Sequence, residues 1–440
     1  MARTLPQQEK DASFAFFFLV LYTISVLIRP HEFSPETSKF IVIKIFAIFA
    51  FIFTLSSLRP IKLLPQHYML LAFVPLVMVS AFLNGWGMGG VTEARKFFVA
   101  SIIPFFLYSN LVNSISRQKL LMYISLFAAL VMVYNGHIQQ QSFDGNFGYG
   151  IGNSFSVGRE EMRITYLGFF GDPNDLGMFL VMNFAFIGYF VSEKGGLNKL
   201  IMPIIFGLLC YGILMTGSRG TLLGAIGVIF LYFFLKKAGV KLVIFMIILA
   251  PIVATLLAKF GGMSSSESSA NGRLEAWYSG ILMLIDNPVF GVGKGNFMDH
   301  HELVAHNSYI HVAGEMGVPG YSLWGGVIVL TMLASYRLIK IYSSAEIEDE
   351  DIRKKYLAEV KINQALFFAM LGFMITAFFL SRQFTLLLFI FLGMLTASHM
   401  RLIKLRPELQ ELFNKEMVLK SMAYSWIIIV AVYAALKVGL

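Results

Sequence analysis

The chain has 440 residues, of which 57% are hydrophobic and only 14% are charged, and its formal net charge is +9. An ordinary soluble protein carries about 25% charged residues, so the composition excludes that class and predicts an integral membrane protein. Basic residues in membrane proteins are sorted by topology, so the positive charge does not indicate nucleic acid, and we expect no nucleic-acid partner.

Apolar runs recur along the whole chain. A hydrocarbon core of ~30 Å needs about 20 apolar residues per helix, so the length predicts an all-α polytopic protein with about twelve transmembrane helices in a single domain, residues 1–440. The first run lacks a small-residue cleavage site after it, which favours a retained span over a cleaved signal. The last run is short and predicts either a span or an interfacial helix. The runs lie at about 14–29, 40–58, 68–83, 97–112, 120–136, 176–192, 199–215, 221–235, 241–258, 322–340, 363–380, 384–400 and 422–437.

The connections between these runs predict the orientation. If the N-terminus is cytoplasmic, most basic residues fall in cytoplasmic connections, as the positive-inside rule requires. The opposite side then receives two long loops, a first loop at 137–175 and a larger loop at 259–321. We expect both to be periplasmic. The basic connections are Arg59 to Lys62, Arg117 to Lys119, Lys194 to Lys199, Lys236 to Lys241, Arg337 to Lys361 and Arg401 to Lys420.

The larger loop begins with an amphipathic pattern. Asn271 or Gly272 is suited to cap a helix at Arg273, and apolar residues follow at helical spacing as far as Leu284. Pro288 is then a stop signal. The pattern predicts a short amphipathic helix with Arg273 in its first turn.

A glycine-rich turn and a second helix start come next. Gly291 to Gly295 predicts a tight, irregular backbone. A helix is predicted to start near Asn307 or Ser308 and to run to Gly317. His306 then stands at a helix start, where free backbone N–H groups suit an anionic group such as a phosphate.

Three motifs stand in this loop in a fixed order: Arg-x-x-x-Trp at 273–277, Asn-Pro-x-x-Gly-x-Gly at 287–293 and His-Asn-x-Tyr at 306–309. In that order, late in a polytopic chain, they resemble the O-antigen ligase and polymerase superfamily of bacterial envelopes. The superfamily also carries a Ser-Arg-Gly at the place of residues 218–220, and an arginine followed by Gly-x-Phe and Asp-Pro-Asn at the place of residues 163–174.

The resemblance implies a GT-C-like glycosyltransferase, multi-pass in the bacterial inner membrane, with its active site facing the periplasm. It implies an inverting, metal-independent O-antigen ligase of lipopolysaccharide biosynthesis. The donor would be a glycan linked to undecaprenyl pyrophosphate and the acceptor a hydroxyl of the lipid A-core. These two substrates and membrane lipids are the implied partners, and no cofactor is implied.

Two alternatives within the superfamily use the same donor: an O-antigen or surface polysaccharide polymerase, and a protein O-oligosaccharyltransferase. The shared motifs do not discriminate among the three. A polysaccharide transporter or flippase is the alternative from another class. Transport sites place ionisable residues near mid-span, whereas the charges of this chain lie at span ends and in loops, which disfavours transport.

Periplasmic arginines are the candidates for binding the pyrophosphate, because an unpaired guanidinium is costly at a membrane unless it meets water, a carboxylate or a phosphate. Arg163, Arg219 and Arg273 stand in the family-like motifs and are predicted to converge on the carrier pyrophosphate. Contact with lipid headgroups is the alternative for Arg219. Arg382, in a tight turn, and Arg159, beside two glutamates, are additional candidates.

His306 is the predicted catalytic residue, because a neutral imidazole can accept a proton from a sugar hydroxyl. Asn307 is predicted to cap the following helix. A histidine bonded only to backbone is the alternative interpretation of His306. A metal site is disfavoured, because no His-Glu-x-x-His is present and the adjacent His300 and His301 cannot easily enter one tetrahedral site.

Other polar and aromatic residues carry structural expectations. Arg29 flanks a span and is expected to reach lipid headgroups. Trp277 and Trp324 are suited to anchor at the membrane interface. Asp172 or Asp175 is expected to cap the helix of the next span.

Overall fold

A computed structural model describes residues 12–141, 163–193, 195–238, 266–340 and 347–439. Within these ranges the regular structure is helical, and no strand occurs. A π-helical turn joins α4 to α5. The helices are α1 (Ser13–Leu27), α2 (Val42–Ser57), α3 (Pro65–Leu83), α4 (Gly89–Phe97), α5 (Ile103–Leu111), α6 (Ile115–Gln141), α7 (Pro173–Ser192), α8 (Gly196–Met215), α9 (Arg219–Ala238), α10 (Ser266–Asp286), α11 (Phe297–His300), α12 (Ser308–Lys340), α13 (Glu350–Ala377), α14 (Leu386–Leu405) and α15 (Lys415–Gly439).

Eight helices of the described ranges are long and apolar enough to cross a membrane: α3, α6, α7, α8 and α12 to α15. Shorter apolar helices add α1, α2 and the first part of α9. A helix satisfies its backbone hydrogen bonds internally, which lipid requires. The chain is therefore a polytopic, helical membrane protein, and the last apolar run lies in a helix long enough to span. The total of about twelve spans and the orientation stay predictions.

The centre of the bundle is formed by α13, which packs against both α7 and α14. The ring of Phe186 in α7 stacks on that of Phe391 in α14, and Phe179, Phe373 and Phe389 of these helices are fully buried. Around this centre, α9 lies against α13, while α12 packs on α3, α10 and α15. The starts of α7, α9 and α12 meet the turn between α13 and α14 at one end of the bundle.

The larger loop departs from its prediction at its first helix. α10 begins at Ser266, so Arg273 lies about two turns inside a helix rather than in its first turn. Asn271 and Gly272 are carried within the helix. A glycine in a helix interior lowers the stability of the helix by only about 1 kcal/mol relative to alanine. A local preference of this size does not fix where a helix starts when tertiary packing favours a longer helix.

The second helix of the loop starts where the sequence predicts, at Ser308. The predicted stop at Gly317 is a kink, with φ 63° and ψ −168°, after which α12 continues to Lys340. A Cβ on Gly317 would lie 2.7 Å from the carbonyl oxygen of Pro288. The kink therefore needs glycine both for its backbone angles and for its close approach to the preceding turn.

Candidate active site

His306 occupies a strained position directly before α12. Its φ is 47°, in the left-handed region that residues with a side chain rarely adopt. The ring is half-buried and makes no hydrogen bond to any residue that the structure describes. The alternative interpretation, in which the imidazole is bonded to backbone at the helix start, is therefore not observed within the described ranges.

Asn307 caps α12, as predicted. Its side-chain Oδ1 accepts hydrogen bonds from the backbone N–H of Tyr309 at 3.0 Å and of Ile310 at 3.1 Å. Asn307 is fully buried. Both the side chain and the backbone carbonyl of Asn307 accept hydrogen bonds from α12. These bonds hold the strained turn at His306 in place.

The start of α12 is fastened to the turn between α13 and α14. The Ser308 hydroxyl donates to the carbonyl oxygen of Leu380 at 2.6 Å and accepts from the backbone N–H of Arg382 at 2.8 Å. One turn further along, His311 Nδ1 and Ser381 Oγ share a hydrogen bond of 2.9 Å. These contacts bring Arg382 to the same end of the bundle as His306.

The start of α7 carries a second polar network. Asp172 caps this helix by accepting from the backbone N–H of Asn174 at 2.7 Å and from its amide at 2.8 Å. Asn174 Oδ1 accepts in turn from Ser218 Oγ at 2.6 Å and from Arg163 Nη2 at 3.4 Å. Arg163 Nε also donates to the carbonyl oxygen of Thr216 at 2.7 Å. The side chain of Arg163, which belongs to the segment before α7, is thereby held against the short turn that leads into α9.

Arg219 is the first residue of α9 and stands on that same turn. Its side chain is exposed and forms no ion pair with any residue of the described ranges. The next residue, Gly220, lies against the turn after α13, where a Cβ would be 3.0 Å from Phe379 Cβ. The structure therefore places Arg163 against the turn that carries Arg219, and this turn lies beside the end of α13.

Arg382 is already engaged by a carboxylate. Its Nε donates a hydrogen bond to Oδ1 of Asp175 in α7, and the two residues are 207 positions apart in the chain. The Asp175 side chain is only 4% exposed, whereas that of Arg382 is 39% exposed. Of the two aspartates considered as caps, Asp172 has that role and Asp175 holds Arg382.

Charged groups from three other segments act on His306. Burial lowers the pKa of the His306 imidazole below its usual value, and the positive charge of Arg273 lowers it further. Asp172 opposes this effect, while Arg382 adds to it. The backbone near Arg273 also approaches the loop before His306, since a Cβ on Gly272 would be 3.2 Å from Leu303 Cδ1. His306 is consequently neutral at neutral pH and available to accept a proton.

A cavity of about 520 Å³ opens between the start of α7 and the turn after α13. Its wall combines aromatic rings, carboxylates, a guanidinium and an amide. It is lined by Gly168, Phe169, Gly171, Asp172, Asp175, Ser381, Arg382, Gln383, Phe384 and Thr385.

The glycine motif has a structural role. Gly291, Gly293 and Gly295 all have positive φ, which confirms the predicted tight turn. The N–H of Gly293 donates to the carbonyl oxygen of Glu315 at 2.9 Å, and that of Val292 to the carbonyl oxygen of Gly314 at 3.0 Å. The turn therefore supports α12 close to its kink.

The histidines near this turn have other partners. His311 Nε2 lies 3.0 Å from Glu315 Oε1, which also accepts from the backbone N–H of Phe297 at 3.3 Å. His301 Nδ1 is bonded to the backbone of Leu303. Among the described residues, no group of three or more His, Cys, Asp or Glu is arranged to hold a metal ion.

Two expectations about aromatic and basic side chains are wrong. Trp277 and Trp324 are only 3% and 2% exposed, so they are core residues rather than interface anchors. Arg29 pairs with Glu32, and its guanidinium covers Gly168 at the cavity wall. Both errors arise because the residues around an amphipathic side chain in the sequence do not show whether lipid or protein covers that side chain.

Three residues at the cavity, Asp175, Gln383 and Arg29, received no functional role from the sequence. Asp175 could have been suspected as a partner for an arginine, because a carboxylate in a mostly apolar span needs one. Gln383 and Arg29 carried no comparable signal. Arg159 lies outside the described residues.

Among the described residues, Arg163, Arg219, Arg382 and the strained His306 thus lie toward the same end of the bundle, and the charge of Arg273 acts on His306. Residues 204–325 match the O-antigen ligase family. The resemblance to the O-antigen ligase superfamily is thereby confirmed. The matched residues 204–325 contain Arg219, Arg273 and His306, whereas Arg163 and Arg382 lie outside them. A comparison with curated proteins gives no match.

Proposed function

We propose that this protein is an O-antigen ligase that transfers a glycan from undecaprenyl pyrophosphate to a hydroxyl of the lipid A-core at the periplasmic face of the inner membrane. The observation that carries the proposal is the setting of His306. Its backbone is strained, its ring has no hydrogen bond to a described residue, and its pKa is lowered by burial and by Arg273. Strained, electrostatically tuned residues of this kind are typical of catalytic positions.

In the proposed reaction, His306 removes the proton from the acceptor hydroxyl as its oxygen attacks the anomeric carbon of the donor. The bond between that carbon and the phosphate oxygen breaks with inversion, and the electron pair leaves with the carrier pyrophosphate. General-base assistance of this type contributes roughly 10²–10⁴-fold. No metal or cofactor takes part in the proposal.

The arginines support departure of the pyrophosphate. Arg219 offers an exposed guanidinium at a helix start, and Arg163 is fixed beside it on the same turn. Arg273 approaches from α10. Guanidinium groups bind phosphate oxygens through two parallel hydrogen bonds, so these three residues are proposed to bind the leaving group. Arg159 stays an additional candidate.

A transport function receives little support from the buried charges of the spans. Glu359 and Arg401 form an ion pair between α13 and α14 that is almost completely buried. Ser398 donates to Glu359 at 2.6 Å, and Arg401 also donates to the carbonyl oxygen of Val112. Because the charged atoms of this pair are taken up by each other and by neighbouring hydrogen bonds, the pair offers no free charge to a passing substrate.

The test of the proposed base is His306→Ala, purified and confirmed to be folded by thermal melting. Transfer from a carrier-linked glycan should fall at least 100-fold, the lower end of general-base assistance, while the donor still binds. Activity within about threefold of wild type would remove His306 as the base. Recovery of the wild-type enzyme by zinc after chelation would instead support a metal mechanism.

The acceptor is tested in cells by deleting the gene and separating the lipopolysaccharide on a gel. A ligase leaves bare core while carrier-linked polymer accumulates. A polymerase leaves core with one repeat unit, and a protein-directed transferase leaves the lipopolysaccharide unchanged. Either of the last two results would replace the lipid A-core in the proposal while keeping its donor chemistry.

A further inference from the structure

Arg29 and His306 share a backbone conformation that side chains disfavour. Within the described ranges they are the two residues other than glycine with positive φ, and Arg29 has φ 56° and ψ 47°. Such conformations persist only where surrounding contacts enforce them, and they cluster at functional sites. At Arg29, the carbonyl oxygen accepts from the N–H of Glu32 at 2.9 Å, Nε donates to Glu32 Oε2 at 2.7 Å, and Nη2 donates to Oε1. The left-handed turn therefore orients the guanidinium by pairing it with a carboxylate.

The oriented guanidinium packs on the backbone of Gly168. A Cβ built on Gly168 would lie 2.3 Å from Arg29 Cζ and 2.5 Å from both Nε and Nη1. These nearly equal distances show that the flat face of the guanidinium, rather than its edge, covers the glycine. The Arg29 side chain is only 15% exposed, and Gly168 has a positive φ of 65°. Any side chain at residue 168 would thus displace the guanidinium.

Gly168 belongs to the turn that forms one wall of the cavity. The 3₁₀ turn Gly168–Phe170 is closed by a hydrogen bond from the N–H of Gly171 to the carbonyl oxygen of Gly168 at 3.2 Å. Gly168, Phe169 and Gly171 all line the cavity. Asp172 follows directly and caps α7. The guanidinium of Arg29 therefore lies against the segment that leads from the cavity wall into α7.

The connection after α1 also holds the chain ahead of this turn. The Tyr166 hydroxyl donates to the carbonyl oxygen of Ile28, the residue before Arg29, at 2.5 Å. The N–H of Tyr166 donates in turn to the carbonyl oxygen of Phe170 at 2.9 Å, and both of these side chains are buried. Two adjacent residues after α1 thus hold the segment that joins Arg163 to α7.

We propose that Arg29 is a positioning residue for glycan transfer, which fixes the turn Gly168–Phe170 as a rigid wall of the cavity by packing on Gly168. In this role Arg29 contacts no reacting atom, because its charge is paired with Glu32 and its face is covered by Gly168. The inference rests on the proposed function, in which His306 is the base. The cavity adjoins that base, since the charges of two lining residues, Asp172 and Arg382, act on His306.

The kinetic test uses the full-length protein in lipid nanodiscs with a carrier-linked glycan as donor. In Arg29→Ala, kcat should fall about 10- to 100-fold, because a misplacement on the order of 1 Å at a reaction site has an effect of this size. Arg29→Lys keeps the charge but lacks the planar face, so its kcat should fall as far. Wild-type kcat in either variant would overturn the proposal.

Sugar-free undecaprenyl pyrophosphate, used as a competitive inhibitor, separates positioning from direct binding. Its inhibition constant should stay constant in Arg29→Ala and rise in Arg219→Ala. A raised constant in Arg29→Ala would overturn the proposal, because Arg29 would then bind the pyrophosphate itself. An unchanged constant in Arg219→Ala would count against the proposed function and not against the role of Arg29.

Arg406→Ala is the matched control for the lost ion pair. Arg406 pairs with Glu408, and its side chain is 16% exposed, close to the 15% of Arg29. It follows α14 at the opposite end of the bundle from the cavity. Arg406→Ala should keep the wild-type kcat, and an equal loss in this variant would overturn a specific role of Arg29.

The contact itself is tested by combining two substitutions. The methyl group of Gly168→Ala collides with the guanidinium, so this variant alone should lower kcat as Arg29→Ala does. With both substitutions the methyl group enters the vacated space, and little further loss is expected, since residues in contact are not additive. Additive losses would overturn the contact. Gly87→Ala is the control, because Gly87 has φ 52° but a Cβ there meets nothing within 4 Å; it should leave kcat unchanged.

Hydrogen–deuterium exchange follows the wall without the reaction. The N–H groups of Tyr166 and Gly171 are bonded to carbonyl oxygens of this turn, and exchange reports local opening. Amides of residues 164–172 should exchange faster in Arg29→Ala than in wild type or Arg406→Ala, and Gly168→Ala gives the same comparison if Arg29→Ala does not fold. Unchanged exchange would overturn the proposal even if transfer falls. Faster exchange in a protein that transfers no glycan to lipid A-core would count against the proposed function alone.

Discussion

The cap of α12 gives the sharpest test of how the helix start positions the proposed base. In Asn307→Ala, the hydrogen bonds from the N–H groups of Tyr309 and Ile310 lose their acceptor. Loss of an N-cap costs about 0.5–2 kcal/mol, and the upper half applies because Asn307 is fully buried. A cost of about 1.4 kcal/mol that falls wholly on the turn carrying His306 corresponds to a tenfold change, so we expect transfer to fall by up to about 10-fold.

The assay combines steady-state transfer with thermal melting. Asn307→Ser keeps a capping oxygen and should recover most of the rate, whereas a residue needed for substrate contact would not be replaced by serine. Asp349→Ala is the matched control, because Asp349 caps α13 through the N–H groups of Asp351 and Ile352 and is exposed. It should lower the melting temperature slightly and leave transfer unchanged.

Two results would refute this reasoning. Wild-type transfer in Asn307→Ala would show that the cap does not position His306. Equal losses in Asn307→Ala and Asn307→Ser, with unchanged melting, would show that the asparagine acts on the substrate directly.

Four further outcomes follow from the same geometry. Met298 is 59% exposed in the larger loop, so Met298→Cys in a Cys210→Ser background should react with an impermeant maleimide in intact spheroplasts; reaction only after lysis would reverse the predicted orientation. Arg219→Lys should lose most activity despite keeping its charge, because lysine lacks the two-pronged geometry of arginine, and wild-type turnover would favour contact with lipid headgroups. Transfer should decline with falling pH only below the usual pKa of histidine, since the lowered pKa keeps His306 neutral above it. Arg273→Gln should move this acidic limb to higher pH, because a charge that lowers the pKa is gone, while Arg273→Lys should leave it in place; an unmoved limb in Arg273→Gln would disprove the coupling.

The sequence by itself determined the features that depend on a short stretch of chain. Apolar runs predicted spanning helices, because burial in lipid requires about 20 consecutive apolar residues. The helix start at Ser308 was predictable because a cap acts on N–H groups two and three residues away. The glycine turn at 291–295 was predictable because few other residues adopt positive φ. The order of the motifs was enough to indicate the superfamily.

Only the tertiary structure decided which residues meet. Arg382 finds Asp175 across 207 positions, and Ser308 joins Leu380 across 72; no local pattern encodes such pairs, because they follow from the packing of whole helices. The start of α10 was misjudged for the same reason, since weak local preferences yield to packing. The cavity exists only where the start of α7 meets the turn after α13, because a cavity is the space between elements and not a property of any one of them.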